Sequence, residues 1–418
     1  YNLRLVLIGR YMAAVASMEY FGVPIDIKNL EKLKNCWDIL KEELIRRVDK
    51  KYHVYEGTTF KISLFKKYLE KYQIPWDYTP TDLPRTDNSY MKMQAKTHPQ
   101  LKALQELRYS LGQLKLNNLQ VGKDGRNRCL LSPFRSKTSR NQPSSSKFIF
   151  GNATWIRHLI KPRKGQALAY IDFEQQEIAI AAALSGDEHL RQAYNSGDPY
   201  VAFAKAAGAI PPNGTKKTHP EIRENYKMCM LALNYGMSVE SFANKAKITL
   251  SEAKLMVKLH RQKYSQYWKW NSDFIDTGML SGIVKTKFNW FYQTAHAKYR
   301  TLMNWPMQSH GADILRLAIS MCVDNGIQVA APVHDAILIE APIDKIEVEV
   351  KKAQRYMELA SEFVLNFKIN TDVKIIRYPE TYTDPRGAIM WNHVWDIIHG
   401  INPAGKKARL LEKEEAYG

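Results

Sequence analysis

The stretch "AYIDFEQQEIAIAAALSGD", residues 169–187, decides the fold, because it joins an apolar strand to an apolar helix around a single carboxylate. The strand ends at Asp172, and Gln175, Gln176 and Glu177 follow it at the start of the helix. Asp172 has two interpretations. It caps the helix that follows, or the strand delivers it to a site at the edge of a sheet. Taken alone, the stretch favours the cap.

A second carboxylate lies in "QVAAPVHDAILIEAP", residues 328–342, where His334 and Asp335 separate two short apolar runs. This spacing predicts a β-hairpin with a charged tip, although Asp335 on its own is also a common turn residue. If both segments belong to one antiparallel sheet, Asp172 and Asp335 face the same point. Two Mg²⁺ ions roughly 3.5–4 Å apart relieve the repulsion in such a pair and clamp the oxygens of a phosphoryl transfer.

A helix with a regular stripe is predicted in "RENYKMCMLALNYGMS", residues 223–238. Arg223, Lys227, Leu231 and Tyr235 recur at four-residue intervals, which gives a stripe about 18 Å long that ends at Gly236. Two cations followed by an apolar and an aromatic position match the phosphates, sugar and base of a nucleoside triphosphate. The simpler interpretation is a surface helix with a cationic face, which is common in a basic protein.

The overall charge indicates a polyanionic partner. The 418 residues include 61 Lys and Arg against 42 Asp and Glu, a formal net charge of +19. Such an excess points first to nucleic acid and only secondly to an anionic membrane surface. No apolar run approaches the roughly 20 residues of a spanning helix, so we expect no membrane partner. The length predicts two or three subdomains.

The cysteines and the first residue bear on location and completeness. Four cysteines stand far apart without a CxxC pair, which predicts neither a zinc site nor a disulfide framework and fits a reducing cytoplasm. A bacterial or phage-infected cell is the expected location, with an organelle left open. The chain starts with Tyr1, so we expect it to be the C-terminal portion of something longer.

These motifs resemble the three polymerase motifs of the family A DNA polymerases. "DFEQQE" at Asp172, the striped helix and "VHDA" around Asp335 occur in the family's order and at similar separations. "TSR" at 138–140 is similar to the family's thumb-to-palm "TGR" element, and "RTLMNWPMQSHGAD" at 300–313 is similar to a further family stretch. The resemblance extends over nearly the whole chain, including "MEYFGVPID" at 18–26.

The resemblance implies an α/β (α+β) right-hand polymerase with an antiparallel-sheet palm, helical fingers and a helical thumb. It places the N-terminal helices and thumb at 1–125, the first part of the palm at 126–190 and the fingers at 191–300. The second part of the palm and the C-terminal tail take 301–418. It implies primer–template DNA and dNTPs as partners, with an upstream exonuclease domain or replication accessory proteins left open.

Roles follow from the same resemblance. Asp172, Asp335 and the backbone carbonyl of Phe173 would hold two Mg²⁺ ions, for which Mn²⁺ can substitute. Lys227 would also donate a proton to the pyrophosphate, and Glu177 would exclude a 2′-hydroxyl. The implied nucleotide-binding residues are Arg223, Lys227, Leu231, Tyr235, Glu177 and Gln175. The implied DNA-binding residues are Arg140, Arg300, Asn304, Gln308 and His334.

The sequence also departs from the family's pattern. Leu231 replaces an aromatic residue, so discrimination against dideoxynucleotides is not carried over. Ala336 stands where a third carboxylate is usual, and Tyr200 replaces a histidine of the fingers. Phe173 and Glu174 stand where Tyr and Ser are usual. These differences suggest a divergent phage or plasmid branch.

Two alternatives stay open. A single-subunit RNA polymerase shares the motif types, but it would be expected to carry a small residue at the position of Glu177. An inactive DNA-binding relative would be expected to lose an aspartate or Lys227, and all are present.

Overall fold

The computed structural model describes residues 3–113 and 119–400, and their contacts divide into two compact units. The first unit comprises the described residues of Tyr1–Phe21, Leu130–Gln142 and Gly165–Ile375. The second comprises those of Gly22–Cys129, Pro143–Lys164 and Ile376–Gly418. The sequence-based boundaries of thumb, palm and fingers stay a prediction.

The first unit is built on a four-stranded sheet with the strand order β10-β5-β9-β8. The strands are β5 (Gln166–Phe173), β8 (Gln328–Val333), β9 (Ala336–Pro342) and β10 (Thr371–Arg377). The β5–β9 and β8–β9 pairs are antiparallel, and the register places Asp172 opposite Ala336. The predicted hairpin and the predicted antiparallel pairing are therefore confirmed.

Helices pack against this sheet because three of its strands, β5, β8 and β9, are mainly apolar and buried. α14 and α15 pack together, α15 lies on β5 and β9, and α1 lies on α14 and β8. The helices of this unit are α1 (Leu3–Phe21), α7 (Gln176–Ser185), α8 (Glu188–Asn195), α9 (Pro199–Ala206), α10 (Pro220–Asn234), α11 (Val239–Ala246), α12 (Leu250–Lys263), α13 (Ser265–Ser281), α14 (Tyr299–Asp324) and α15 (Ile346–Leu365), with a small hairpin β6 (Ile283–Lys285) and β7 (Phe291–Gln293).

The second unit is mainly helical. Its elements are β1 (Val23–Pro24), α2 (Ile27–Asn35), α3 (Trp37–Asp49), β2 (Tyr55–Glu56), β3 (Thr59–Phe60), α4 (Ile62–Lys71), α5 (Asn88–Thr97), α6 (Lys102–Gln113), β4 (Arg126–Asn127) and α16 (Ala388–His399), with 3₁₀ turns at Pro99–Leu101 and Thr154–Leu159. A buried ion pair of 3.1 Å joins Arg157 Nη1 to Asp384 Oδ2. In the described part of the chain, no helix is long and apolar enough to cross a membrane.

We predict that Gly387→Ala destabilises the second unit. A Cβ at Gly387 would lie 2.4 Å from the backbone nitrogen of Trp155, a buried residue that stacks on Trp37. Overpacking of this kind costs about 1–3 kcal/mol. Urea unfolding followed by tryptophan fluorescence measures the loss. Gly112→Ala is the matched control, because Gly112 lies in α6 and a Cβ added there would have no atom of the described residues within 4 Å. An equal effect of the two substitutions would contradict the packing argument.

Candidate functional site

Asp172 and Asp335 meet at one end of the central sheet. Asp172 is the penultimate residue of β5, and Asp335 lies in the two-residue tip between β8 and β9. The backbone N–H of Phe173 donates to the Asp335 carbonyl oxygen at 3.4 Å, which ties the strand end to the hairpin tip. Asp172 does not cap α7, because the N-cap position is held by Gln175 in the left-handed conformation, with φ of 44°. The cap interpretation of Asp172 is therefore wrong.

The electrostatics of this pair are unfavourable. Burial, followed by the charge and hydrogen bonding of Asp335, raises the pKa of Asp172 to about 7. Asp172 Oδ1 is buried and has no hydrogen-bond partner among the described residues. Within the same residues, no cluster of three or more metal-ligating side chains occurs. The arrangement is thus a pair of neighbouring carboxylates in which burial and the second charge favour the protonated form of Asp172.

The cations of α10 are held by carboxylates of their own. Arg223 Nε donates to Asp198 Oδ2 at 3.0 Å, and the guanidinium stacks on the ring of Tyr200 with 4.9 Å to its centroid. Lys227 Nζ lies 3.9 Å from a Glu224 oxygen. Asp198 also caps α9 through the N–H groups of Tyr200 and Val201. One carboxylate therefore fixes both the start of α9 and the orientation of Arg223.

A chain of hydrogen bonds links the end of α10 to α7 and α14. Tyr235 is the C-cap of α10, one residue beyond its last turn, and Gly236 follows with φ of 61°. The Tyr235 hydroxyl donates to Glu177 Oε1 at 2.7 Å and accepts from Gln308 Nε2 at 3.0 Å. Burial and the nearby Glu177 carboxylate raise the pKa of Tyr235, so this hydroxyl keeps its proton.

The "TSR" segment is fixed by a long-range contact from α14. Ser139 is buried in a left-handed conformation with φ of 60°. Arg316 donates to its carbonyl oxygen at 2.8 Å and to its hydroxyl at 2.9 Å, and the guanidinium is paired with Asp313. The neighbouring Arg140 has a buried Nε with no partner in the described part of the chain. The two hydrogen bonds from Arg316 therefore hold the backbone at Ser139, the residue that precedes Arg140.

Several of these residues line one pocket of about 450 Å³. The lining is Arg140, Gln175, Gln176, Glu177, Ile178, Tyr200, Leu231, Tyr235, His334 and Asp335. His334 is exposed at the hairpin tip with φ of 57°. Arg223, Lys227, Asn304 and Gln308 lie outside this lining, as does Arg300, which contacts the Gly236 turn.

Four residues of the site were not predicted from the sequence: Gln176, Asp198, Asp372 and Arg316. Gln176 had a signal, since it is an amide at the head of an otherwise apolar run. Asp198 had one as well, because Asp before Pro is a helix N-cap pattern. The charge of Asp372, on β10, contributes to the raised pKa of Asp172. For Arg316 no local signal exists, because its partner Ser139 is 177 residues away.

The comparisons with known proteins agree on one family. The family model of DNA polymerase family A matches residues 140–378, more than half of the chain. DNA polymerase I of Thermus thermophilus is 27% identical over 218 residues, which cover 49% of this chain and 26% of that enzyme. DNA polymerase I of Aquifex aeolicus is 23% identical over 373 residues, which cover 85% of this chain and 63% of the relative. The chain thus spans only part of either relative.

A solved structure shows the fold. The polymerase domain of Pol1 from M. smegmatis, in complex with DNA primer-template and dNTP, superposes with a TM-score of 0.73 at 20% identity. The superposition covers 88% of this chain and 69% of that one. The expected right-hand polymerase fold class is therefore confirmed.

We predict that Asp335→Asn stabilises the metal-free protein at high pH. Because the pKa of Asp172 is raised, the folded state binds that proton more tightly than the unfolded chain, and stability is lost as pH rises from about 4 through about 7. Removing the Asp335 charge should raise Tm at pH 8 by roughly 1–3 °C, with a smaller change at pH 5.

Thermal unfolding in EDTA at the two pH values measures this effect. Asp344→Asn is the control, because Asp344 is an exposed turn aspartate. An equal shift of Asp335→Asn at pH 5 and pH 8 would show that charge repulsion is not its cause.

Proposed function

The chain belongs to DNA polymerase family A, and from this premise we propose that it is the polymerase portion of a template-directed DNA polymerase. It extends a primer 3′-hydroxyl with dNTPs on a DNA template and releases pyrophosphate. The observation that carries this proposal is the pair of facing carboxylates, Asp172 and Asp335, in the same unit as the cationic helix α10.

Divalent metal ions are the cofactors that this family uses, and the donor set fits them. Asp172 Oδ1 is buried without a partner among the described residues and faces a second carboxylate, an arrangement that a divalent cation stabilises. Asp172, Asp335 and the carbonyl oxygen of Phe173 would hold the ions, Mg²⁺ or in its place Mn²⁺. When bound, the ions neutralise the developing charge on the attacking and leaving oxygens.

The residues of α10 bind the incoming nucleotide. Arg223 and Lys227 contact the triphosphate, and Lys227 donates a proton to the leaving pyrophosphate as the bond from the α-phosphorus to the bridging oxygen breaks. Leu231 offers an apolar surface to the sugar. Tyr235 stacks at the edge of the new base pair. Catalysis is mainly positioning and charge neutralisation, as is general for phosphoryl transfer.

The sugar is checked by Glu177, held by Tyr235. The 2.7 Å hydrogen bond from the Tyr235 hydroxyl fixes the Glu177 carboxylate beside the pocket, where it excludes a 2′-hydroxyl. Gln175 lines the same pocket. This contact favours deoxynucleotides over ribonucleotides, and therefore a DNA polymerase over an RNA polymerase.

The DNA-binding residues that we propose belong to the same unit. Those that we assign to primer–template contacts are Arg140, Arg300, Asn304, Gln308 and His334. Amides and guanidinium groups suit the minor groove, where acceptors occupy similar places in all base pairs. We assign the thumb to 1–125, the palm to 126–190 and 301–418, and the fingers to 191–300. The departures at Leu231, Ala336 and Tyr200 support a divergent branch, and a reducing cytoplasm suits the widely spaced cysteines.

We predict that Asp172→Asn and Asp335→Asn each abolish primer extension but leave primer–template affinity within about twofold. Both side chains would act on the metals and not on the duplex. Single-nucleotide incorporation and fluorescence anisotropy measure the two properties. Extension above about one per cent of wild type, equivalent to about 2.7 kcal/mol of barrier, would exclude the metal role of that residue.

We predict that Glu177→Ala raises ribonucleotide incorporation relative to deoxynucleotide at least about tenfold, or roughly 1.4 kcal/mol. The physical reason is the loss of the carboxylate that blocks the 2′-hydroxyl. Pre-steady-state incorporation of rNTP and dNTP on one template measures the ratio. Glu174→Ala, three residues away, is the control and should leave it unchanged. If Glu177→Ala also leaves it unchanged, Glu177 is only a favourable charge in the first turn of α7.

A further inference from the structure

Gln176 is a buried amide with an unused donor. It is the first residue of α7 and only 2% exposed, and the rest of that helix buries isoleucine and alanine. Its Nε2 has no hydrogen-bond acceptor among the residues that the structure describes. A buried donor without a partner costs about 1–3 kcal/mol. Such a group in a functional pocket indicates a ligand that supplies the acceptor.

The opposite helix makes room for this amide. A Cβ at Gly311 would lie 2.5 Å from Gln176 Oε1 and 3.5 Å from Arg140 Nη2. Gly311 is inside the 26-residue helix α14, where glycine costs about 0.5–1 kcal/mol relative to alanine. Its φ is not in the left-handed region, so the backbone does not require glycine there. Space for the Gln176 side chain is the reason that the contacts give for a glycine at this position.

The neighbours of Gln176 identify the class of ligand. Gln176 and Arg140 line the same pocket, and both approach Gly311. Like Gln176, Arg140 carries a buried donor, its Nε, without a partner in the described ranges. Arg140 belongs to the proposed DNA-binding set, whereas the triphosphate cations Arg223 and Lys227 are paired with carboxylates. Among the described residues that line this pocket, the two with unused donors are thus Gln176 and a residue that we assign to the primer–template.

We propose that Gln176 is a DNA-binding residue that reads the minor groove, and that Gly311 is the small residue that admits it. Gln176 Nε2 donates a hydrogen bond to the acceptor of the terminal base pair, N3 of a purine or O2 of a pyrimidine. These acceptors are present in every base pair, so the contact tests pairing geometry without reading sequence. This inference rests on the proposed polymerase function.

The experiment removes the acceptor and the donor separately. Wild type and Gln176→Met, which keeps the volume but loses the amide, each extend two primer–templates that differ in one atom. One carries guanine and the other 3-deazaguanine, placed first at the primer terminus and then at the template base paired with it. We expect wild type to prefer guanine by about fivefold at one of the two positions, as for a single hydrogen bond. In Gln176→Met that ratio should fall close to one.

Two glycine variants test the supporting contact. Gly311→Ala should lower the guanine preference as Gln176→Met does, because its Cβ displaces the amide, and it keeps the test available if Gln176→Met does not fold. Gly9→Ala, at a helical glycine where an added Cβ has no described atom within 4 Å, should keep the wild-type ratio.

The possible outcomes distinguish a failure of the proposed polymerase function from a failure of the proposed role of Gln176. If wild type extends neither primer, the proposed polymerase function fails. If wild type extends both and Gln176→Met keeps the guanine preference at both positions, the role of Gln176 is overturned and the polymerase function stands. A purely structural role predicts this second result, because it would slow both primers equally.

Discussion

The repulsion between Asp172 and Asp335 is the constraint on which the rest of the first unit depends. The pairing of β5 with β9 sets Asp172 opposite Ala336. Asp335 immediately precedes Ala336, so the hairpin tip places it next to Asp172. β5 and β9 are buried and mainly apolar, and burial beside the charge of Asp335 raises the pKa of Asp172 to about 7. A fold that keeps such a pair gives up stability there, and a loss of local stability of this kind is typical of functional sites.

The cations of α10 differ from this pair of carboxylates, because each of them already lies near a side chain of opposite charge. Asp198 holds Arg223 at 3.0 Å, and Glu224 stands near Lys227. An anion that binds these two cations exchanges one set of negative partners for another, so its affinity depends on the difference between the two sets. Because Asp198 also caps α9, that exchange would alter the hydrogen bonds at the start of this helix. Tyr200, buried beneath the guanidinium, keeps Arg223 in place from the other side.

How much of this could be predicted from the sequence depended on the range of each interaction. The strand that ends at Asp172, the hairpin at Asp335 and the helix that ends at Gly236 follow from local patterns of apolar, charged and turn residues, and the structure has them. The contact of Arg316 with Ser139 and the space at Gly311 for Gln176 had no such pattern, because each joins segments more than a hundred residues apart. Gln176 was visible as a polar residue in an apolar run, but its missing partner became evident only from packing. The roles assigned to the site residues stay predictions.

The helix α10 joins the residues that we propose for the phosphates and for the sugar in one rigid element. Arg223, in its first turns, is tied to Asp198, and Tyr235, its C-cap, is tied to Glu177 and Gln308. A helix of this length moves as a unit, since its backbone hydrogen bonds are internal. A displacement of α10 relative to α7, α9 and α14 would therefore stretch the Arg223 ion pair and the Tyr235 hydrogen bonds together. Because Tyr235 donates a hydrogen bond to the Glu177 carboxylate, the proposed selection against ribose would depend on the position of α10 as well as on Glu177 itself. In the proposed function, binding of the triphosphate at one end and exclusion of the 2′-hydroxyl at the other would both depend on the position of a single helix.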